Sequence, residues 1–286
     1  MIASMTGFGR AEGVFENKKI SIDLRAVNSK SLDVNLRWPS VYKEKEFTLK
    51  KILSERVIRG KVDVYFNVEN LVQESQITLN TSVLQDYMAQ LKAVSGTETP
   101  EYELLKIAMK LPDSTTAKTE AITEEEWAFI EQLLNEAITR LIEFREAEGA
   151  SLHQELQNNL NHIRQYLAEV APYERERMVA IKEKYQKTLQ EFEAIDETRF
   201  YQEMAYYTEK LDIAEEKVRL SQHLNYYEEV MQNETCNGKK LGFIAQEIGR
   251  EINTLGSKAN HAQIQKLVVL MKDDLEKIKE QTLNVL

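Results

Sequence analysis

The sequence is poor in the residues that interrupt regular structure and in those that crosslink it. Four prolines and ten glycines stand among 286 residues, so long unbroken elements are favoured, helix above all, because these residues are the usual breakers. A single cysteine, Cys236, excludes an internal disulfide and any zinc cluster built on thiolates. In the polar run NETCNGKK it reads as an exposed bystander thiol. No apolar run approaches the ~20 residues of a membrane span. The start MIASMTGFGR has no basic stretch followed by an apolar one, so it does not read as a secretory signal. A cytoplasmic protein is expected. Positive charge is in deficit as well: a net charge of -10 argues against a coat that binds nucleic acid regardless of sequence.

What is present is a folding composition, 42% hydrophobic and 29% charged. The charge is unevenly spread. Residues 18–61 hold twelve Lys and Arg against five Asp and Glu, a local +7 on an otherwise acidic chain. Such a basic lobe would steer a polyanion to one side of the molecule.

The first seventy residues alternate with a period of two, which marks half-buried strands. Ile20, Ile22, Leu24 and Ala26 alternate with polar residues, as do Leu32, Val34 and Leu36, and then Val62, Val64, Phe66 and Val68. Asn28-Ser29-Lys30 reads as a hairpin-like turn between the first two runs. A strand pair is expected at Ser4–Phe8 and Gly13–Phe15, with Gly7 and Gly9 relaxing the backbone. After Pro39 the pattern turns helical over 41–58 and stops at Gly60, and a further helix covers about 81–94. Beyond residue 100 strands are not expected. Thr123 to Glu126 open a helix with a capping box, and long helices follow over 146–193, 196–232, 238–257 and 258–284. Pro172 and Gly256 are expected to bend or break them, and Gly149 and the segment 193–198 are candidate hinges. The fold class is α+β: an N-terminal mixed sheet with helices on one face, in β-β-β-α-β-α order, followed by long helices forming an α-helical C-terminal body. The charged segment 150–193 has too narrow an apolar stripe to stand alone, which points to a homo-oligomer.

Chemistry concentrates on two polar stripes. Asp212, Glu216, Arg219 and His223 step by three or four residues, as do Glu247, Glu251, Thr254 and Lys258. At about 100° per residue each set lies on one helical face, bordering the apolar face. Facing each other across an antiparallel pair, they suit a hard divalent cation, Mn or Mg, because such ions take oxygen ligands. Asp212, Glu216, His223, Glu247 and Glu251 are the candidate metal ligands. His223, Glu247 and Glu251 are also candidates for catalysis, with Arg219, Arg250 and Lys258 neutralising a phosphate. The structural alternative is a salt-bridge ladder, Asp212–Arg219 and Glu251–Lys258 among its rungs. His153 and His162 read as surface residues and His261 as structural.

The runs SMTGFGRAE, IDLRAVNSKSLDVNLRWP, RGKVDV, FREAEGASLHQEL, RFYQEMAYYTEKLDIAEEKVRLSQHL and GKKLGFIAQEIGREINTLGSKA resemble, in order and over nearly the whole chain, the YicC/YloC family of bacterial proteins. The resemblance implies a metal-dependent endoribonuclease that assembles as a homo-oligomer, a hexamer. The N-terminal order is also similar to the RNase PH-type layer. On this reading residues 1–97 form an α/β RNA-binding and oligomerisation domain, 98–195 a helical arm and 196–286 a helical catalytic domain. Arg25, Asn28, Lys30 and Arg37 would hold RNA on the basic lobe, and Arg219, Asn253, Thr254 and Ser257 would hold it near the seam. Gly242 stands where the family carries an aspartate, and Gly249 replaces a bulkier residue; were that aspartate a required ligand, this chain would be impaired. The competing readings are a non-catalytic oligomeric adaptor that delivers RNA to another nuclease, and a purely structural oligomer.

Overall fold

The computed structural model describes residues 2–71, 77–95, 99–117, 122–190, 197–235 and 237–286. β1 (Gly7–Phe15) and β2 (Lys18–Val27) form an antiparallel hairpin with Phe15 opposite Lys18; Glu16 takes a left-handed φ of 51° to close the turn. β3 (Leu32–Arg37) leads through a 3-10 turn (Ser40–Lys45) and α1 (Glu46–Arg56) into β4 (Gly60–Asn70). β4 pairs antiparallel with β2 and parallel with β3, so the order across the mixed sheet is β1-β2-β4-β3. Asn28-Ser29-Lys30 is therefore not a hairpin. A parallel pair needs a crossover, and α1 supplies it, placing β4 between the two strands that the turn was expected to join.

β1 is one strand where two were expected, and its glycines serve packing. A Cβ on Gly9 would stand 2.1 Å from the Ala137 carbonyl oxygen, one on Gly7 2.8 Å from Leu141 Cδ1, and one on Gly13 2.6 Å from Phe129 Cζ. With no side chains there, α4 (Glu124–Gln190) lies directly on the strand. The alternation in β2 and β4 sends Ile20, Ile22, Leu24, Val62, Val64 and Phe66 to the same side, against Leu49 and Leu53 of α1 and Ile130, Leu134, Ile138 and Leu141 of α4. Each such side chain contributes about 1.5–3 kcal/mol when fully buried. On the other face, the described side chains of β2 and β4 are half-buried or exposed.

A short ribbon of β5 (Ile77–Leu79) and β6 (Thr115–Ala117) brackets α2 (Thr81–Ser95) and α3 (Glu101–Ala108). α2 lies where it was expected; α3 and both short strands were not, and β6 falls beyond residue 100. Three-residue strands carry too little periodicity to be seen.

α4 runs 67 residues, about 100 Å at 1.5 Å per residue. Thr123 Oγ1 accepts the Glu126 N–H at 3.1 Å, half of the capping box. The Glu126 carboxylate turns to the sheet side instead, where it accepts from Tyr42 Oη at 2.8 Å and Lys18 Nζ at 3.2 Å. Pro172 stays inside the helix, and so does Gly149. The expected hinge at 146–150 is thus unbroken helix: a Cβ on Gly149 would stand 2.3 Å from Ile2 O, so the glycine seats the backbone of residues 2–3. At this junction Ser4 bridges to Val285, Arg145 donates to Met5 O at 3.0 Å and Arg59 O at 3.1 Å, and Thr6 Oγ1 donates to Glu148 at 2.6 Å.

The expected helix 196–232 is two: α5 (Glu197–Leu211) and α6 (Ala214–Asn233). α7 (Gly238–Lys258) and α8 (Ala262–Thr282) follow, and the break between them falls at 259–261. Gly256 lies within α7, where a Cβ would meet Val268 Cγ1 at 2.9 Å; it admits α8 closely. α6, α7, α8 and the middle of α4 enclose a second core of Leu156, Leu160, Ile163, Leu220, Leu224, Ile248, Ile252, Met271 and their neighbours. Among the described residues no helix is long and apolar enough to cross a membrane. The expected hinge at 193–198 and Cys236 lie largely or wholly outside the described residues.

Candidate active site

α6 and α7 pack side by side in opposite directions. Lys258 Nζ, at the last residue of α7, meets Glu216 Oε1, in the first turn of α6, at 2.8 Å. Glu216 is only 5% exposed, and its second oxygen, Oε2, is buried without a hydrogen-bond partner among the described residues. A lone buried carboxylate would cost several kcal/mol. Two things offset this: the positive end of the α6 dipole and the ammonium, whose proton affinity the Glu216 hydrogen bond raises above the ordinary lysine value. About two turns along both helices, forward from Glu216 and back from Lys258, His223 and Glu251 come to one level. Glu251 is also buried, at 6% exposure, and His223 is half-buried. Glu247 is exposed and 3.9 Å from Arg250, itself exposed.

Several candidate residues stand elsewhere than expected. Asp212 lies in the link between α5 and α6, so it does not continue the Glu216 stripe; its Oδ1 accepts the Ala214 N–H at 2.9 Å. Arg219 pairs with Glu215 on the solvent side. Neither expected ladder rung, Asp212–Arg219 or Glu251–Lys258, is present; the cross-helix pair is Glu216–Lys258. Thr254 Oγ1 donates to Arg250 O and Ser257 Oγ to Thr254 O, while Asn253 is exposed. Among the described residues no three His, Cys, Asp or Glu side chains gather as a preformed metal cage. Gly242 has open space where a Cβ would stand, so an aspartate fits there; Gly249 lets α7 approach Leu275 Cδ2, which a Cβ would meet at 3.1 Å.

Sequence reasoning missed Arg177. It is 3% exposed, and it donates from Nη1 to Lys258 O at 3.1 Å and from Nη2 to Leu211 O at 2.7 Å. Burial pulls its pKa below the ordinary arginine value, while the charges of Glu174 and Asp212 oppose that pull. Glu174 pairs with Lys217 of α6. The signal was there: Arg177 continues the stripe of Ile163, Val170 and Tyr173 that faces the bundle, and only its charge made the segment read as solvated. His261 caps this corner, its ring 5.5 Å from that of Tyr173 and its Nδ1 buried without a partner among the described residues.

On the outward face of the sheet, two guanidiniums are set against Tyr65, Arg25 at 5.4 Å and Arg37 at 5.1 Å from its ring centre. Tyr65 was not singled out from the sequence, where it reads only as the polar half of an alternation. Lys30 is exposed, whereas Asn28 is engaged, donating to Leu283 O at 2.7 Å. The basic stretch is partly neutralised in the fold: Lys18 and Lys45 pair with Glu126 and Glu124 at the start of α4, and Lys50 with Glu46.

Residues 2–154 match the profile described as endoribonuclease YicC-like, N-terminal region, and residues 163–286 that described as endoribonuclease YicC-like, C-terminal. A relative from Clostridioides difficile, named probable endoribonuclease YicC, is 30% identical over 295 residues, covering 100% of both chains. A relative of the same name from Haemophilus influenzae is 29% identical over 297 residues, again covering 100% of both.

Proposed function

This chain belongs to the YicC-like endoribonuclease family, and on that premise we propose that it cuts RNA internally at the seam between α6 and α7. The observation that carries the reading is Glu216: a carboxylate almost fully buried, held by Lys258 through one oxygen and left with the other unpaired. A buried polar atom left without a partner calls for an explanation, and a catalytic or ligand-binding role is one. In the seam, Lys258 would neutralise the scissile phosphate, and a cation–phosphate bond of this type is one of the strong, charge-assisted ones. Glu251 and His223, level with each other two turns along the seam, would be the candidate proton carriers.

A divalent ion fits this seam only in one form. The side chains do not build a cage of the kind zinc takes, but Mg is commonly held by one or two carboxylates together with substrate phosphate oxygens and water. Glu216, with its orphaned oxygen, is the carboxylate that would hold it; Glu251 stands about two turns away along the seam. When bound, such an ion lowers the pKa of its water and polarises a phosphoryl oxygen.

The test uses an internally labelled circular RNA, which only an endonuclease can open. Cleavage is expected to stop in excess EDTA. Glu216→Gln and Glu251→Gln are each expected to lose about 100-fold or more in rate, the scale of removing one electrostatic stabiliser, with the fold intact by circular dichroism. A wild-type rate in Glu216→Gln would move the site elsewhere.

RNA is held, on this reading, by the outward face of the sheet, where Arg25 and Arg37, both set against Tyr65, present two guanidinium planes to phosphates and bases. Reversing Arg25 and Arg37 to Glu is expected to weaken RNA binding and to flatten its salt dependence, by about 0.7 in log–log slope per lost contact for a single strand. An unchanged slope would place the RNA path off the sheet.

A further inference from the structure

Resting on the reading that RNA is cut at the Glu216–Lys258 seam, we propose that Arg177 is the positioning residue of that seam: one guanidinium on the long helix α4 fixes both backbones that carry the ion pair.

The geometry is specific. Arg177 Nη2 holds Leu211 O, the last residue of α5, and after the two-residue link α6 begins, with Glu216 in its first turn. Arg177 Nη1 holds Lys258 O, the last residue of α7. The same side chain therefore fixes where α6 starts and where α7 stops, and the Glu216–Lys258 contact of 2.8 Å spans those two points. The carbonyl ends of two helices, each carrying partial negative charge, converge on one buried cation. Lysine cannot do this work. Its ammonium is a point charge on a flexible stem, whereas the planar fork of arginine presents donors to two acceptors at a fixed separation.

Arg177 does not face the seam through a carboxylate. Its hydrogen bonds among the described residues go to backbone, and the nearby acids are occupied: Glu174 by Lys217, and Asp212 by the Ala214 N–H. It has no need to touch RNA. Without it the last turn of α7 and the start of α6 would be free to separate, and Lys258 would no longer hold Glu216 in register. Small displacements of a catalytic constellation cost rate steeply, on the order of a hundredfold for 1 Å, while RNA affinity set on the sheet face would be kept.

The experiment measures cleavage of an internally labelled RNA by the full chain over a range of RNA concentrations. It compares wild type with Arg177→Met, Arg177→Lys and Glu216→Gln, each at a temperature where circular dichroism shows it fully folded. Arg177→Met is expected to lose about tenfold or more in kcat with KM within about twofold of wild type. Arg177→Lys, which keeps the charge and loses the fork, is expected to recover only a small part of that rate; it also carries the test if the Met variant does not fold. A wild-type kcat in either Arg177 variant, or a loss confined to KM, overturns the inference while the loss in Glu216→Gln keeps the seam. A wild-type rate in Glu216→Gln sinks the seam and the positioning role together, whatever Arg177 does.

Discussion

At the scale of single residues, Tyr227 shows how the bundle chose its polar contacts. Its ring is fully buried and its hydroxyl meets Thr282 Oγ1 at 2.7 Å. Thr282 Oγ1 itself donates to Ile278 O, so the phenol is the donor in the pair. Burial pushes its pKa up to about 12. The sign follows directly. Below about pH 10 the tyrosine is protonated in both folded and unfolded chains and adds no slope. Between about 10 and 12 the unfolded chain loses its proton first, so stability falls as pH rises, by about 2–3 kcal/mol across that window. Tyr227→Phe is expected to lose about 1 kcal/mol at neutral pH, the worth of one hydrogen bond. It is also expected to fall less steeply than wild type in that alkaline window. Urea midpoints measured from pH 8 upward check both halves; parallel alkaline limbs would assign the decline to other groups.

At the scale of elements, two helix glycines make opposite predictions. Gly149 in α4 seats the Ile2 backbone, so Gly149→Ala sets a methyl against main chain that cannot rotate away. The clash is expected to outweigh the ~1 kcal/mol that alanine brings to a helix, with a net loss of about 1–3 kcal/mol and faster amide exchange over residues 2–5. Gly242 in α7 has nothing within 4 Å of its Cβ position, so Gly242→Ala is expected to stabilise by about 0.5–1 kcal/mol. Equal signs in a denaturant titration would refute the packing account. The same contrast explains what could be read in advance. Period-two alternation revealed β2, β3 and β4, and period-3.6 patterning revealed α2, α6, α7 and α8, because burial of one face dictates both patterns. As breakers, glycine and proline suggested a bend or break at Pro172 and Gly256 and a hinge at Gly149; helix continues through all three, with the two glycines serving close packing. Sheet order was hidden, since alternation tells which face a strand buries and not which strand lies beside it. At the seam, Glu216, Glu251 and Lys258 were legible from spacing; Asp212 was lost to a turn, and Arg177 was masked by the charge of its neighbours.

At the scale of the molecule, one helix carries two cores. The first part of α4 closes the sheet layer and the middle closes the helical bundle, with Arg145 tying backbone at the boundary between them. Past Arg177 the described side chains Val179, Ala180, Glu183 and Lys187 are exposed, and among the described residues α5 does not pack as α6, α7 and α8 do. We propose that copies of the chain cover these segments in a homo-oligomer, hexameric as the family resemblance implies. Light scattering is expected to return six times the 33.2 kDa chain mass, and a monomer mass at micromolar concentration would reject it. The junction at Ser4 has a further consequence, one of order in time. Residues 3–5 bond to residues 284–286, through the Ser4–Val285 bridge, Met5 N to Asn284 O and Leu286 N to Ala3 O. A ribosome makes the first group before any of the sheet and the second only after all four bundle helices. The sheet layer can therefore fold as it emerges, but this seam must wait until residues 284–286 have followed. Until then residues 3–5 lack these bonds and the second core lacks Val285.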